Sequence, residues 1–153
     1  MPRNREKGPN HKVKSLSARL KQKEEKILHI LERLAEETAG GTLIIVEGKK
    51  DVEALATLAV EGKIVCAKTG GKSFLDVISE IEKAGRREVI LLLDFDRRGK
   101  EWTKRLKRHL EQAGIAPNTT YWTELFGFVG KEVKDVEGLA AYLETLKSKT
   151  GNS

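Results

Sequence analysis

Three short runs of uninterrupted apolar, largely β-branched residues constrain this chain more than any other feature: TLIIV (42–46), KIVCA (63–67) and EVILLLD (88–94), whose starts lie 21 and 25 residues apart. A run with no polar alternation leaves no face for solvent, as in a strand covered on both sides of a parallel sheet. The gaps between the runs carry helical spacing. In 49–60, Val52, Leu55, Ala56 and Ala59 recur at helical intervals, and Ser73 with Asp76 three residues later forms a capping box that opens a helix through Lys83. A basic helix is predicted over 99–113, stopped by Gly114, a fourth strand at TTYW (119–122), and a last helix from Val136 to Lys147. Ahead of the sheet, Leu20, Ile27, Leu31 and Leu34 mark an amphipathic helix within Ser15–Thr38, ended by Gly40 and Gly41. Strands alternating with helices imply an α/β fold. Its expected form is a Rossmann-like, open, mainly parallel four-stranded sheet with helices on both faces, plus an N-terminal basic helix.

Composition matters for partners. The 153 residues are 39% hydrophobic and 34% charged, which suits a single core, and no apolar run approaches the ~20 residues of a membrane span. Residues 1–26 hold nine Lys or Arg against three acids, so the whole formal charge of +6 sits there, and the rest balances. Such an arm attracts a polyanion or is a solvated tail. A second positive surface is expected between Arg97 and Arg108, where seven bases face one acid, Glu101. The sequence therefore divides into a basic arm and helix (1–41), the sheet domain (42–147) and a tail (148–153). A lone cysteine, Cys66, excludes an intrachain disulfide and a thiolate zinc cluster. The opening MPRNREKGPNHKVKS has no apolar stretch of the signal-peptide kind, so a cytoplasmic location with no membrane association is expected.

In open parallel sheets ligands collect beyond the carboxyl ends of the strands, so chemistry is sought there. Glu47 follows the first run, and Asp94 and Asp96 close the third. With strands one and three adjacent, these carboxylates lie close enough to need raised pKa values or a bound cation. Magnesium fits, since it takes oxygen ligands, is held by one or two carboxylates and fills its other positions with water and phosphate. If the strand persists through Asp96, alternation turns Phe95 to one side and both aspartates to the other. Solvated loop acids are the competing explanation. Lys49, Lys50, Lys72, Arg97 and Arg98 fall in loops on the same edge, within reach of phosphates, although a solvated surface accounts for any one of them. Gly71-Lys72-Ser73 does not complete a phosphate-binding loop, because the first glycine position is Cys66.

IVEGKKDVEAL (45–55) followed by LLLDFDRRGKE (91–101) resembles the Toprim domain of topoisomerases, bacterial-type primases, recombination proteins and certain nucleases, over roughly residues 42–145. The Toprim signature, a Glu after the first strand and Asp-x-Asp after the third, matches Glu47, Asp94 and Asp96. Gly48, Asp51 and Gly99 fit the motif's usual company, and Gly70 matches the turn after strand two. Within the superfamily the chain is similar to small stand-alone archaeal Toprim proteins and to the catalytic domain of the bacterial 5S ribosomal RNA maturation nuclease. The resemblance implies Mg²⁺-dependent phosphodiester chemistry, with Asp94 and Asp96 holding one or two ions and Glu47 either sharing the metal or acting as general acid or base. It implies nucleic acid as partner, RNA before DNA, including ribosomal or other ribonucleoprotein particles. Asp135 in KEVKDVEG resembles a late acid of some Toprim domains, on a match too short to place it with the others. Tyr121 and Tyr142 fit packing better than a topoisomerase nucleophile. The expected function is thus a single-domain nuclease; the alternative is a non-catalytic, metal-containing nucleic-acid or ribonucleoprotein binding module.

Overall fold

A computed structural model describes residues 9–151. Of the basic arm, Arg3, Arg5 and Lys7 lie outside the described residues, as do the last two residues of the tail. Four strands, β1 (Leu43–Val46), β2 (Ile64–Cys66), β3 (Glu88–Leu91) and β4 (Ala116–Asn118), form one sheet in the order β2-β1-β3-β4, parallel throughout. The register puts Ile44 between Ile64 and Ile90, and Ile45 between Val65 and Leu91. The α/β reading is correct, with β1 and β3 neighbours.

Six α-helices are described: α1 (Pro9–Ala39), α2 (Lys49–Thr57), α3 (Phe74–Lys83), α4 (Arg97–Gln112), α5 (Thr120–Val129) and α6 (Val136–Thr150). Strand alternation divides the core into two layers. Ile44, Val46, Ile90 and Leu92 face α1, α2, α5 and α6, while Leu43, Ile45, Val89, Leu91 and Leu93 face α3 and α4. Burying apolar side chains on both faces explains why the strands read as continuous apolar runs. The stripe Ile27, Ile30, Leu31 and Leu34 fixes α1 in the first layer, against α5 and α6. No helix among the described residues is long and apolar enough to cross a membrane.

Two expectations are corrected. TTYW is not the fourth strand. That strand is Ala116–Asn118, an edge strand, where Pro117 is tolerated because its missing N–H faces no neighbour. The Asn118 side chain then accepts from the Thr120 N–H at 2.9 Å, and Tyr121, Trp122, Leu125 and Val129 bury one face of the helix α5. The third strand also ends sooner. It stops at Leu91, and Asp96 is the N-cap of α4, so strand alternation does not set the directions of Asp94 and Asp96.

Candidate functional site

Among the helices that begin at the carboxyl edge of the sheet, α2, α4 and α6 open with acidic residues around Glu47. Gly48 caps α2, where the Asp51 side chain accepts from the Gly48 N–H at 3.1 Å. Asp96 caps α4 by accepting from the Gly99 N–H at 2.7 Å, and Asp135 caps α6 by accepting from the Gly138 N–H at 2.6 Å. Unpaired N–H groups and the positive end of the helix dipole favour carboxylates at all three places.

Glu47 stands at the end of β1 and is only 5% exposed. Both of its oxygens are engaged: one accepts from the Asp94 N–H at 2.8 Å, the other pairs with the Lys68 ammonium. Lys68 directly follows the second strand's apolar run, and its backbone N–H donates to the Glu47 carbonyl at 3.0 Å. Asp94 is half-buried beside Glu47. Desolvation first, then the charge of Glu47 and, more weakly, those of Asp51 and Asp135, push its carboxyl up to about 8. Asp51, 6% exposed, is also raised by burial and by the charges of Asp135 and Glu47, while the backbone N–H groups of Gly48 and Glu137 hold it down.

Two contacts hold the loop after β3 in place. Phe95 donates its N–H to the Lys134 carbonyl at 2.6 Å, bringing Asp135 beside the cluster, and the Trp122 indole donates to the carbonyls of Leu93 and Asp94 at 3.0 and 3.2 Å. Gly99 completes the arrangement. A Cβ there would stand 2.5 Å from the Asp94 carbonyl carbon and closer still to its oxygen, so only glycine lets α4 start this near Asp94.

Of the residues singled out in the sequence, Glu47 and Asp94 meet directly, and Asp96 is exposed at the tip of α4. Lys49 and Lys50 are exposed in the first turn of α2, Arg97 and Arg98 in that of α4. Lys72 is ion-paired with Glu80. Sequence reasoning left Asp135 aside, named Asp51 only as motif company, and missed Lys68. The rule that picked Glu47, a charged residue directly after an apolar strand, would have picked Lys68 as well.

Among the described residues, no three or more His, Cys, Asp or Glu side chains converge as a ready-made metal cage. The donor chemistry nevertheless suits a hard cation. Every donor is a carboxylate oxygen, and burial together with the neighbouring charge of Glu47 disfavours an ionised Asp94 in the absence of a cation.

A family model described as the Toprim domain matches residues 42–125. Among similar proteins, a UPF0292 protein of Methanosarcina barkeri is 36% identical over 127 residues, covering 83% of this chain and 87% of that protein. One of Methanocaldococcus jannaschii is 40% identical over 120 residues, covering 78% and 91%. A solved structure of a protein from Aquifex aeolicus superposes with a TM-score of 0.61 at 24% identity, covering 71% of this chain and 94% of that one, a likeness of fold.

Proposed function

This chain belongs to the Toprim domain family, whose role is metal-dependent and nucleic-acid-related, and from that premise we propose that it hydrolyses nucleic-acid phosphodiester bonds, RNA before DNA, with Mg²⁺. The observation that carries this reading is the meeting of Glu47 and Asp94 at the carboxyl edge of a parallel sheet, with the Asp94 carboxyl pushed up to about 8. Glu47, Asp94 and Asp96 are the proposed holders of one or two ions, with Asp51 and Asp135 supplying further charge. When bound, the metal positions the scissile phosphate, offsets charge developing on it and activates water.

The chain's own residues do the rest. The Asp94 N–H and Lys68 fix both Glu47 oxygens, so this carboxylate is oriented before any substrate arrives. The exposed Lys49, Lys50, Arg97 and Arg98 meet the phosphates flanking the scissile one, with Lys72 behind its pair with Glu80. With its carboxyl pushed up by burial and by Glu47, Asp94 would bind a cation in competition with a proton.

One observation favours the second reading, a non-catalytic nucleic-acid or ribonucleoprotein binding module: Lys68 already neutralises Glu47 without a cation. Turnover separates the two. Labelled structured RNA, single-stranded DNA and supercoiled DNA are each incubated with Mg²⁺ or EDTA, using wild type, Asp94→Asn and Asp96→Asn. The nuclease reading expects Mg²⁺-dependent cleavage by wild type that falls by roughly two or more orders of magnitude in the variants, with affinity little changed. No cleavage by any of the three proteins on any substrate gives the lead to the binding module.

A further inference from the structure

Beside the acid cluster, on the face formed by α3 and α4, cations and aromatic rings alternate. Lys68, which pairs with Glu47, also lies over the Trp102 ring with Nζ 5.0 Å from its centroid. The Trp102 ring is tilted against Phe74 at 5.1 Å, and Phe74 in turn is covered by the Arg105 guanidinium at 4.9 Å and approached by His109 at 5.3 Å. Trp102, Arg105 and His109 are spaced three and four residues apart, so they share one face of α4. Both rings rest on the apolar layer beneath α3 and α4 but are only partly buried, and neighbouring Leu75 is 73% exposed. Packing needs the inner edges of these rings. It does not call for Phe74 and an exposed Leu75 at the start of α3, beside Trp102 on the helix that carries seven basic residues between Arg97 and Arg108.

We propose that Phe74 and Trp102 form a stacking platform for unpaired bases of a single-stranded nucleic acid leaving the acid cluster. This rests on the nucleic-acid reading above and adds to it that the strand next to the scissile phosphate is unpaired. The charge of α4 suits a phosphate backbone, and the Lys68 contacts with both Glu47 and Trp102 make the platform continuous with the site. In the free protein Lys68 and Arg105 cover the ring faces; phosphates draw these cations aside, and a base takes their place on the ring. Any base has a face to offer, so the platform selects unpaired over paired strands rather than sequence.

The test is run in EDTA, so that cleavage plays no part, with a short labelled single-stranded RNA and a strand of equal length that has the same phosphates but no bases. Wild type binds the base-bearing strand more tightly, and that strand quenches Trp102 fluorescence more than the abasic one. Trp102→Leu, which keeps the apolar packing, weakens base-bearing binding at least about fivefold and leaves abasic binding unchanged, while Trp102→Phe retains most of the affinity. Equal binding and equal quenching of wild type by the two strands overturns the platform and leaves the nucleic-acid reading standing. Wild type that binds neither strand overturns the platform, and wild type that binds neither these strands nor the structured RNA and supercoiled DNA above overturns both. Trp102→Phe, which leaves the buried Trp122 as the one tryptophan, should lose the base-dependent quenching, so the comparison decides the matter even if Trp102→Leu does not fold, and quenching kept in Trp102→Phe overturns the platform.

Discussion

Gly99→Ala tests whether the start of α4 is fixed against Asp94 by close backbone approach. The added Cβ would meet the Asp94 carbonyl carbon at 2.5 Å and Cα at 2.8 Å, with the oxygen nearer still. All three are backbone atoms, so no rotamer change relieves the contact. Overpacking of this kind costs about 3 kcal/mol, the upper part of its usual range, and the better helix propensity of alanine returns about 1. The net loss of about 2 kcal/mol lowers the melting temperature by roughly 4 to 8 °C for a chain of this size. The displaced Asp94 carbonyl also accepts from the Trp122 indole, so the near-UV dichroism of the buried Trp122 should change along with the far-UV melting curve. Two other glycines calibrate the assay. Gly127 lies exposed in α5 with open space around its Cβ direction, so Gly127→Ala should raise the melting temperature by about 2 to 4 °C. Gly114 has equally open space but φ of +78°, so Gly114→Ala should lower it by about 2 to 8 °C without touching the Trp122 signal. A Gly99→Ala protein that melts with wild type and keeps its near-UV spectrum would refute the reasoning.

Millimolar Mg²⁺ should raise the melting temperature, by about 3 to 6 °C at tenfold excess over Kd, and the combined Glu47→Ala, Asp94→Ala, Asp96→Ala protein should lose that shift; an equal shift in both proteins places the cation elsewhere. Burial first, then the bond to Glu37, pushes the Tyr121 hydroxyl up to about 12, so the folded state favours its neutral form. That stabilisation is complete below pH 10 and is lost as pH rises towards 12, so the melting temperature of wild type should fall across this window more steeply than that of Tyr121→Phe; parallel curves would contradict it. Deleting residues 1–14 removes five Lys or Arg and keeps Leu20, Ile27, Ile30, Leu31 and Leu34, by which α1 packs on the core. The shortened protein should fold and bind nucleic acid with a shallower salt slope, by about 0.9 per lost phosphate contact on a duplex and about 0.7 on a single strand, whereas unchanged slopes would mark the arm as a solvated tail.

The sequence by itself determined three of the sheet's four strands. β1, β2 and β3 were legible because a strand covered on both faces must be apolar at every position, and the capping box at Ser73 was legible because both of its partners are local. Glu47 and Asp94 were legible for the related reason that a charge closing such a run cannot be there for packing. The fourth strand escaped because Ala116–Asn118 is a short edge strand with a proline, which needs little apolar character, while the aromatic pair beside it belongs to a helix. Only tertiary structure decided which charges face one another. Asp135 joins the cluster through the bond between Phe95 and Lys134, residues 39 apart, and Lys68 pairs with Glu47 because β2 lies beside β1. The raised pKa of Asp94 likewise depends on desolvation and on charges brought in from β1, α2 and the start of α6. Periodicity reports how much of each residue is buried, which the chain encodes locally; electrostatic company depends on distances in space, which are set only when the strands pair and the helices dock.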